Sequence, residues 1–80
     1  MENPVKAARE KLNITHKELS FVLGVTEQTI RTNERGENLK ITKKILHFLE
    51  DQGFNRGQLQ REYENYRNWK KQQVFESLKV

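Results

Sequence analysis

Residues Thr15–Gly36 read THKELSFVLGVTEQTIRTNERG, and this stretch decides the fold. Thr15 followed by Glu18 forms a capping box, in which each side chain bonds the other's backbone N–H, so a helix starts there. Ile14, just before the cap, is placed to staple onto Leu19. Leu19, Val22 and Leu23 supply its buried stripe, and Gly24, suited to a positive φ, ends it. Thr26 caps another helix over Glu27 to about Arg35, closed by Gly36. The apolar content of this helix is nearly confined to Ile30. A helix so polar gains little by burial unless one edge is anchored and the other meets something polar.

Helical signals continue on both sides. Asn3 then Pro4 is a cap followed by the first helical position, where proline is tolerated. Val5, Ala8 and Leu12 recur at helical spacing, predicting a helix over Pro4–Leu12 that ends at Asn13. Residues Gly36–Lys40 read as a loop. A fourth helix spans about Ile41–Gln52, with Ile41, Ile45, Leu46, Phe48 and Leu49 inward and Gly53 after it. Asn55 caps a long fifth helix, Arg56 to about Leu78. No alternating run predicts a strand. The fold class is all-α: a compact bundle of four to five helices containing a helix-turn-helix, with a long C-terminal helix. The expected organisation is a helix-turn-helix domain over 1–57 and a C-terminal helical extension over 58–80.

The chain has 80 residues, a net charge of +4 and no cysteine. A domain of this size buries only about 60% of its unfolded surface, so its core is thin. Without cysteine there is no disulfide and no thiolate metal site, which fits a reducing cytoplasm. No run approaches the ~18 apolar residues of a membrane span. The basic excess favours a polyanion partner, but it is spread along the chain rather than gathered in a block. His16 and His47 are the only histidines and fall on different helices. No Ser/His/Asp grouping, glycine-rich phosphate loop or metal-ligand cluster stands out, so no catalytic residue, metal or cofactor is expected.

The third helix carries the chemistry. Its outward residues are Glu27, Gln28, Thr29, Arg31 and Thr32. Gln makes bidentate contacts to adenine and Arg to guanine in the major groove, while Thr offers a hydroxyl and a methyl. The first turn of a recognition helix makes base contacts, so Gln28 and Thr29 lead, with Thr32 one turn on. The helix amino end at Thr26–Glu27 offers N–H groups to a phosphate. Glu27 would repel phosphates unless it accepts from a cytosine or turns aside to the cap. Arg31, Arg35, Lys40, Lys43 and Lys44 border this helix and the loop after it as candidate phosphate contacts. The competing interpretation is an ordinary solvated face.

The segment resembles the helix-turn-helix of the phage-repressor-like family, also called the xenobiotic-response-element family. Leu19, Ser20, Gly24, Val25, Ile30, Glu34 and Gly36 fall where that pattern wants apolar, small, glycine, apolar, apolar, glutamate and glycine. The resemblance covers Pro4 to Phe54, about two thirds of the chain. It implies a four- or five-helix bundle binding double-stranded DNA, usually as a homodimer on a palindromic site. Carried over by position, it implies base-reading roles for Gln28, Thr29 and Thr32. It also implies a phosphate contact at His16 and an ion pair between Arg9 and Glu34. At Asn33 the chain departs from the pattern, which has a large apolar or aromatic residue there. The helix then ends early, or Asn33 is hydrogen-bonded, or the helix is loosely held.

The C-terminal helix is longer than in the family. Leu59, Tyr63, Tyr66, Lys70, Val74 and Leu78 drift along one stripe, the early part of which is expected to pack on the domain, whereas Trp69 and Phe75 stand off it. A thin core cannot cover both sides. Tyr63, Tyr66, Trp69, Phe75 and Leu78 are therefore candidates for a homodimer interface or a partner-docking face; the alternative is a helix folded back over its own core. The expected function is a sequence-specific DNA-binding transcriptional regulator, repressor-like and cytoplasmic, at a bacterial or phage nucleoid. The other expectation is an adaptor that keeps the fold and joins a larger assembly through its last helix.

Overall fold

The computed structural model describes residues 1–78 and shows five helices. They are α1 (Pro4–Lys11), α2 (His16–Leu23), α3 (Glu27–Glu34), α4 (Lys43–Asp51) and α5 (Arg56–Leu78). Among the described residues there is no strand.

The starts and stops follow local chemistry. Asn3 Oδ1 accepts from the N–H groups of Val5 and Lys6, with Pro4 in the first turn. Asn13 takes φ 55 and turns the chain into α2. At Thr15 the capping box is complete: Glu18 N donates to Thr15 Oγ1, and Thr15 N donates to Glu18 Oε1. Hydrogen bonding of the Glu18 carboxyl by the Thr15 backbone N–H, and secondarily by the Thr15 hydroxyl, holds that carboxyl below its usual value. Gly24 stands at φ 67, and Ser20 Oγ donates to Val25 O across the corner at 2.5 Å. That bond needs a short hydroxyl side chain at position 20.

Val5, Ala8, Leu19, Ile30, Ile41, Ile45, Leu46, Leu49, Leu59 and Tyr63 form one buried cluster drawn from all five helices and the loop before α4. Two details differ from the sequence expectation. Val22 is exposed, because α2 lays the line from Leu19 to Leu23 on the core and Val22 sits about 100° behind Leu23. Helix α4 begins at Lys43 rather than Ile41, although Ile41 is buried. Thr42, just before α4, makes no side-chain cap; its N–H and hydroxyl are both engaged by Asn33.

Helix α5 joins the bundle through its first half and packs on α1 and α4. Leu59 and Tyr63 lie in the common core, and the Tyr63 hydroxyl donates to Asn38 O at 2.8 Å. Burial pushes that phenol above its ordinary value, so it stays a donor. Tyr63 and Tyr66, expected at an interface with another molecule, are 2% and 9% exposed and are instead taken up by this chain's own core. The aromatic rings needed a partner, and the loop after α3 supplies it. Beyond them, residues 71–78 are all exposed.

Candidate nucleic-acid interface

Helix α3 is fixed at both ends and turns a polar face outward. At its start Thr26 Oγ1 accepts from Thr29 N at 3.1 Å. Ile30, fully buried, anchors its middle. At its exit Glu37 N donates to Thr32 O and Gly36 N to Asn33 O, with Gly36 at φ 72. A Cβ on Gly36 would stand 2.9 Å from Tyr66 Cε1, so both the backbone angle and the close approach of α5 require glycine.

Asn33 is fully buried and every polar atom of its side chain is used. Its Oδ1 accepts from Thr42 N at 2.8 Å, and its Nδ2 donates to Asn38 Oδ1 at 2.7 Å and to Thr42 Oγ1 at 3.1 Å. Asn3 Nδ2 in turn donates to Asn33 O at 3.0 Å. The departure from the family pattern is thus a hydrogen-bonded junction. The Asn33 side chain replaces an apolar anchor with bonds tying α3 to the following loop and the start of α4, while its backbone carbonyl, which any residue would offer, takes the bond from the start of α1.

A second junction sits at Glu34, whose side chain is 7% exposed. Arg9 Nε lies 2.6 Å from Glu34 Oε2, Arg9 Nη2 donates to Glu34 Oε1, and Arg9 Nη1 donates to Ile14 O. His16 Nε2 stands 3.1 Å from Glu34 Oε1. One carboxylate therefore links α1, the start of α2 and the end of α3. His16, considered from sequence as a phosphate contact, is half-buried and already holds Glu34 through one ring nitrogen.

The outer face of α3 divides by how far each side chain is engaged. Gln28 is exposed and makes no hydrogen bond among the described residues. Thr29 is half-buried, with its hydroxyl 3.0 Å from that of Thr26. Thr32 is half-buried and donates to Thr29 O. Arg31 is exposed and pairs with Glu27 one turn back at 3.1 Å. An exposed i,i+4 pair is worth about 0.3–0.5 kcal/mol, little enough for a phosphate or base to displace Glu27. The pair also accounts for Glu27, whose charge is held on its own helix.

The surrounding cations do not gather on one face. Arg35 is exposed and paired with Glu37. Lys43 and Lys44 border a cleft with Val22 and Leu23 of α2, whereas Lys40 borders a different cleft with Tyr63 and Arg67 of α5. None of the three lysines is in an ion pair among the described residues. Sequence reasoning missed two contacts from α5: Arg67 Nε donates to Gly36 O and Lys70 Nζ donates to Arg35 O, each at 3.0 Å. The signal was a lysine lying on an otherwise apolar stripe. Cations at a helix C-terminus satisfy its last carbonyls and suit its dipole.

Two short capped helices meeting at a glycine corner, the second polar outside and anchored inside, define a helix-turn-helix DNA-binding module. A family model described as helix-turn-helix matches residues 5–50, and the chain belongs to that family, in its Cro/C1-type branch. This is a family of DNA-binding regulators rather than of enzymes. Comparison with curated proteins and with solved structures returns no match. Among the described residues no group of three or more His, Cys, Asp or Glu could hold a metal, and no helix is long and apolar enough to cross a membrane.

Proposed function

We propose that the chain is a sequence-specific, repressor-like regulator that inserts α3 into the major groove of duplex DNA, acting in the cytoplasm at the nucleoid. The observation that carries this reading is the outer face of α3, where Gln28 is exposed and uncommitted on a helix pinned at both ends. Rigid support matters because a base contact pays only when the side chain arrives in register. Gln28 and Thr29 read bases first, with Thr32 and Arg31 one turn on. Thr26, His16, Arg35, Lys40, Lys43 and Lys44 are the phosphate set. A single eight-residue helix reaches only a few base pairs, so two copies on a two-fold site supply the remaining specificity.

A second role as an adaptor is favoured by one observation: α5 continues past the core with Val74, Phe75 and Leu78 exposed. The two roles are compatible, since they use different surfaces. Titration of labelled genomic duplexes at two salt concentrations tests DNA reading. The expected result is binding that weakens steeply with salt and that Gln28→Ala weakens by about 1–3 kcal/mol on the preferred site. Equal affinity of both proteins for every duplex would remove the assignment of Gln28.

A further inference from the structure

The second half of α5 and the exit of α3 enclose a groove that DNA reading does not use. It is lined by Gly36, Val74 and Phe75 together with the cations Arg67, Lys70 and Lys71. Arg35 and Glu37 also reach it but pair with each other. Arg67 and Lys70 each spend one donor on a backbone carbonyl, of Gly36 and Arg35, but neither they nor Lys71 is in an ion pair among the described residues, so their charge is unneutralised. Phe75 is 63% exposed and Val74 53%. Spacings of four residues from Lys70 to Val74 and from Lys71 to Phe75 put each apolar side chain one turn beyond a cation.

From this pattern we infer that the groove docks an acidic amphipathic segment of another protein, its apolar side chains on Val74 and Phe75 and its carboxylates on Arg67, Lys70 and Lys71. The inference rests on the end of α5 being an interaction surface. Charge complementarity selects this occupant. A second copy of the chain would bring the same three cations against themselves. Duplex DNA would suit the cations but has no use for an exposed phenylalanine and valine, because its bases are stacked.

The probe is a fluorescently labelled synthetic amphipathic helix with Leu and Phe on one face and Glu on the other. Its twin carries Lys in place of every Glu. Anisotropy titrations against the full chain should show binding of the Glu peptide that weakens with salt, and no binding of the Lys twin. Phe75→Ser and the double variant Lys70→Glu/Lys71→Glu should each weaken the Glu peptide about fivefold or more. Lys70 also holds Arg35 O, so Lys71→Glu alone, which should weaken the Glu peptide too, is measured beside the double variant, and circular dichroism checks that helicity is kept. The inference is overturned by equal binding of both peptides, by no binding of either, or by displacement of the Glu peptide by duplex DNA. It is equally overturned by sedimentation showing that Phe75→Ser turns a dimer into a monomer, which would give the groove to a second copy. Gln28→Ala separates this from the DNA assignment: it should leave peptide affinity unchanged, whichever way the duplex titration falls.

Discussion

Replacing Asn33 by alanine should cost this small domain a large share of its stability. The variant loses three side-chain bonds at once, to Thr42 N, Asn38 Oδ1 and Thr42 Oγ1. A typical hydrogen bond contributes about 0.5–1.5 kcal/mol net, and a stranded buried donor costs about 1–3. Asn38 is exposed and can be rehydrated, so its loss is at the low end. Thr42 N–H is half-buried and faces the new void, so its loss is larger. The sum is about 2–4 kcal/mol. Total stability for 80 residues is on the order of 4–12 kcal/mol. Urea unfolding followed by the fluorescence of Trp69, the single tryptophan, and by circular dichroism reads the change. With a slope of about 1 kcal/mol per molar, the midpoint should fall by about 2 M or more. Asn33→Leu makes the test sharper. It restores the apolar type the family pattern has there but none of the bonds. If position 33 were a packing site, leucine would hold or raise stability; if it is a polar junction, leucine destabilises as well. A loss below about 1 kcal/mol in both variants would refute the junction.

Further outcomes follow from the same contacts. Glu34→Ala should cost about 3 kcal/mol in urea unfolding, because it leaves the largely buried Arg9 guanidinium without its counter-ion; a change under 1 kcal/mol would show that Arg9 finds water instead. Gly36→Ala should cost about 2 kcal/mol or more, from about 1–2 kcal/mol of left-handed strain plus the contact with Tyr66, and a neutral result in thermal melting would contradict the close approach of α5. Tyr63 has its folded-state pKa raised by burial, so its contribution is fully present below the ordinary value of 10.0 and is lost as pH rises beyond it. Unfolding measured across that range should show stability falling with pH in the native chain, and less steeply in Tyr63→Phe.

The sequence carried the helix-turn-helix because its signals are local. Capping box, glycine corner and exit glycine each act within a few residues, and they placed α1, α2 and α3 to within one residue of their ends. What stayed hidden is long-range. Asn33 looked like a missing anchor because its partners, Thr42 and Asn38, lie in a loop whose path no periodicity encodes. Tyr63 and Tyr66 looked like interface residues for a similar reason: only the folded loop after α3 shows that it seats both rings. The Thr26–Thr29 hydroxyl contact and the Glu27–Arg31 pair are short-range and were readable in principle. They show Gln28 as the least committed of the reading candidates.

Selection of bound sequences from random duplex DNA, run in parallel with the native chain and Gln28→Ala, tests the use of α3 most directly. The account predicts a two-fold symmetric preference with half-sites about one helical turn apart, and loss of preference at one base position per half-site when Gln28 is truncated. Enrichment of no sequence at low salt, or an identical preference from both proteins, would contradict it.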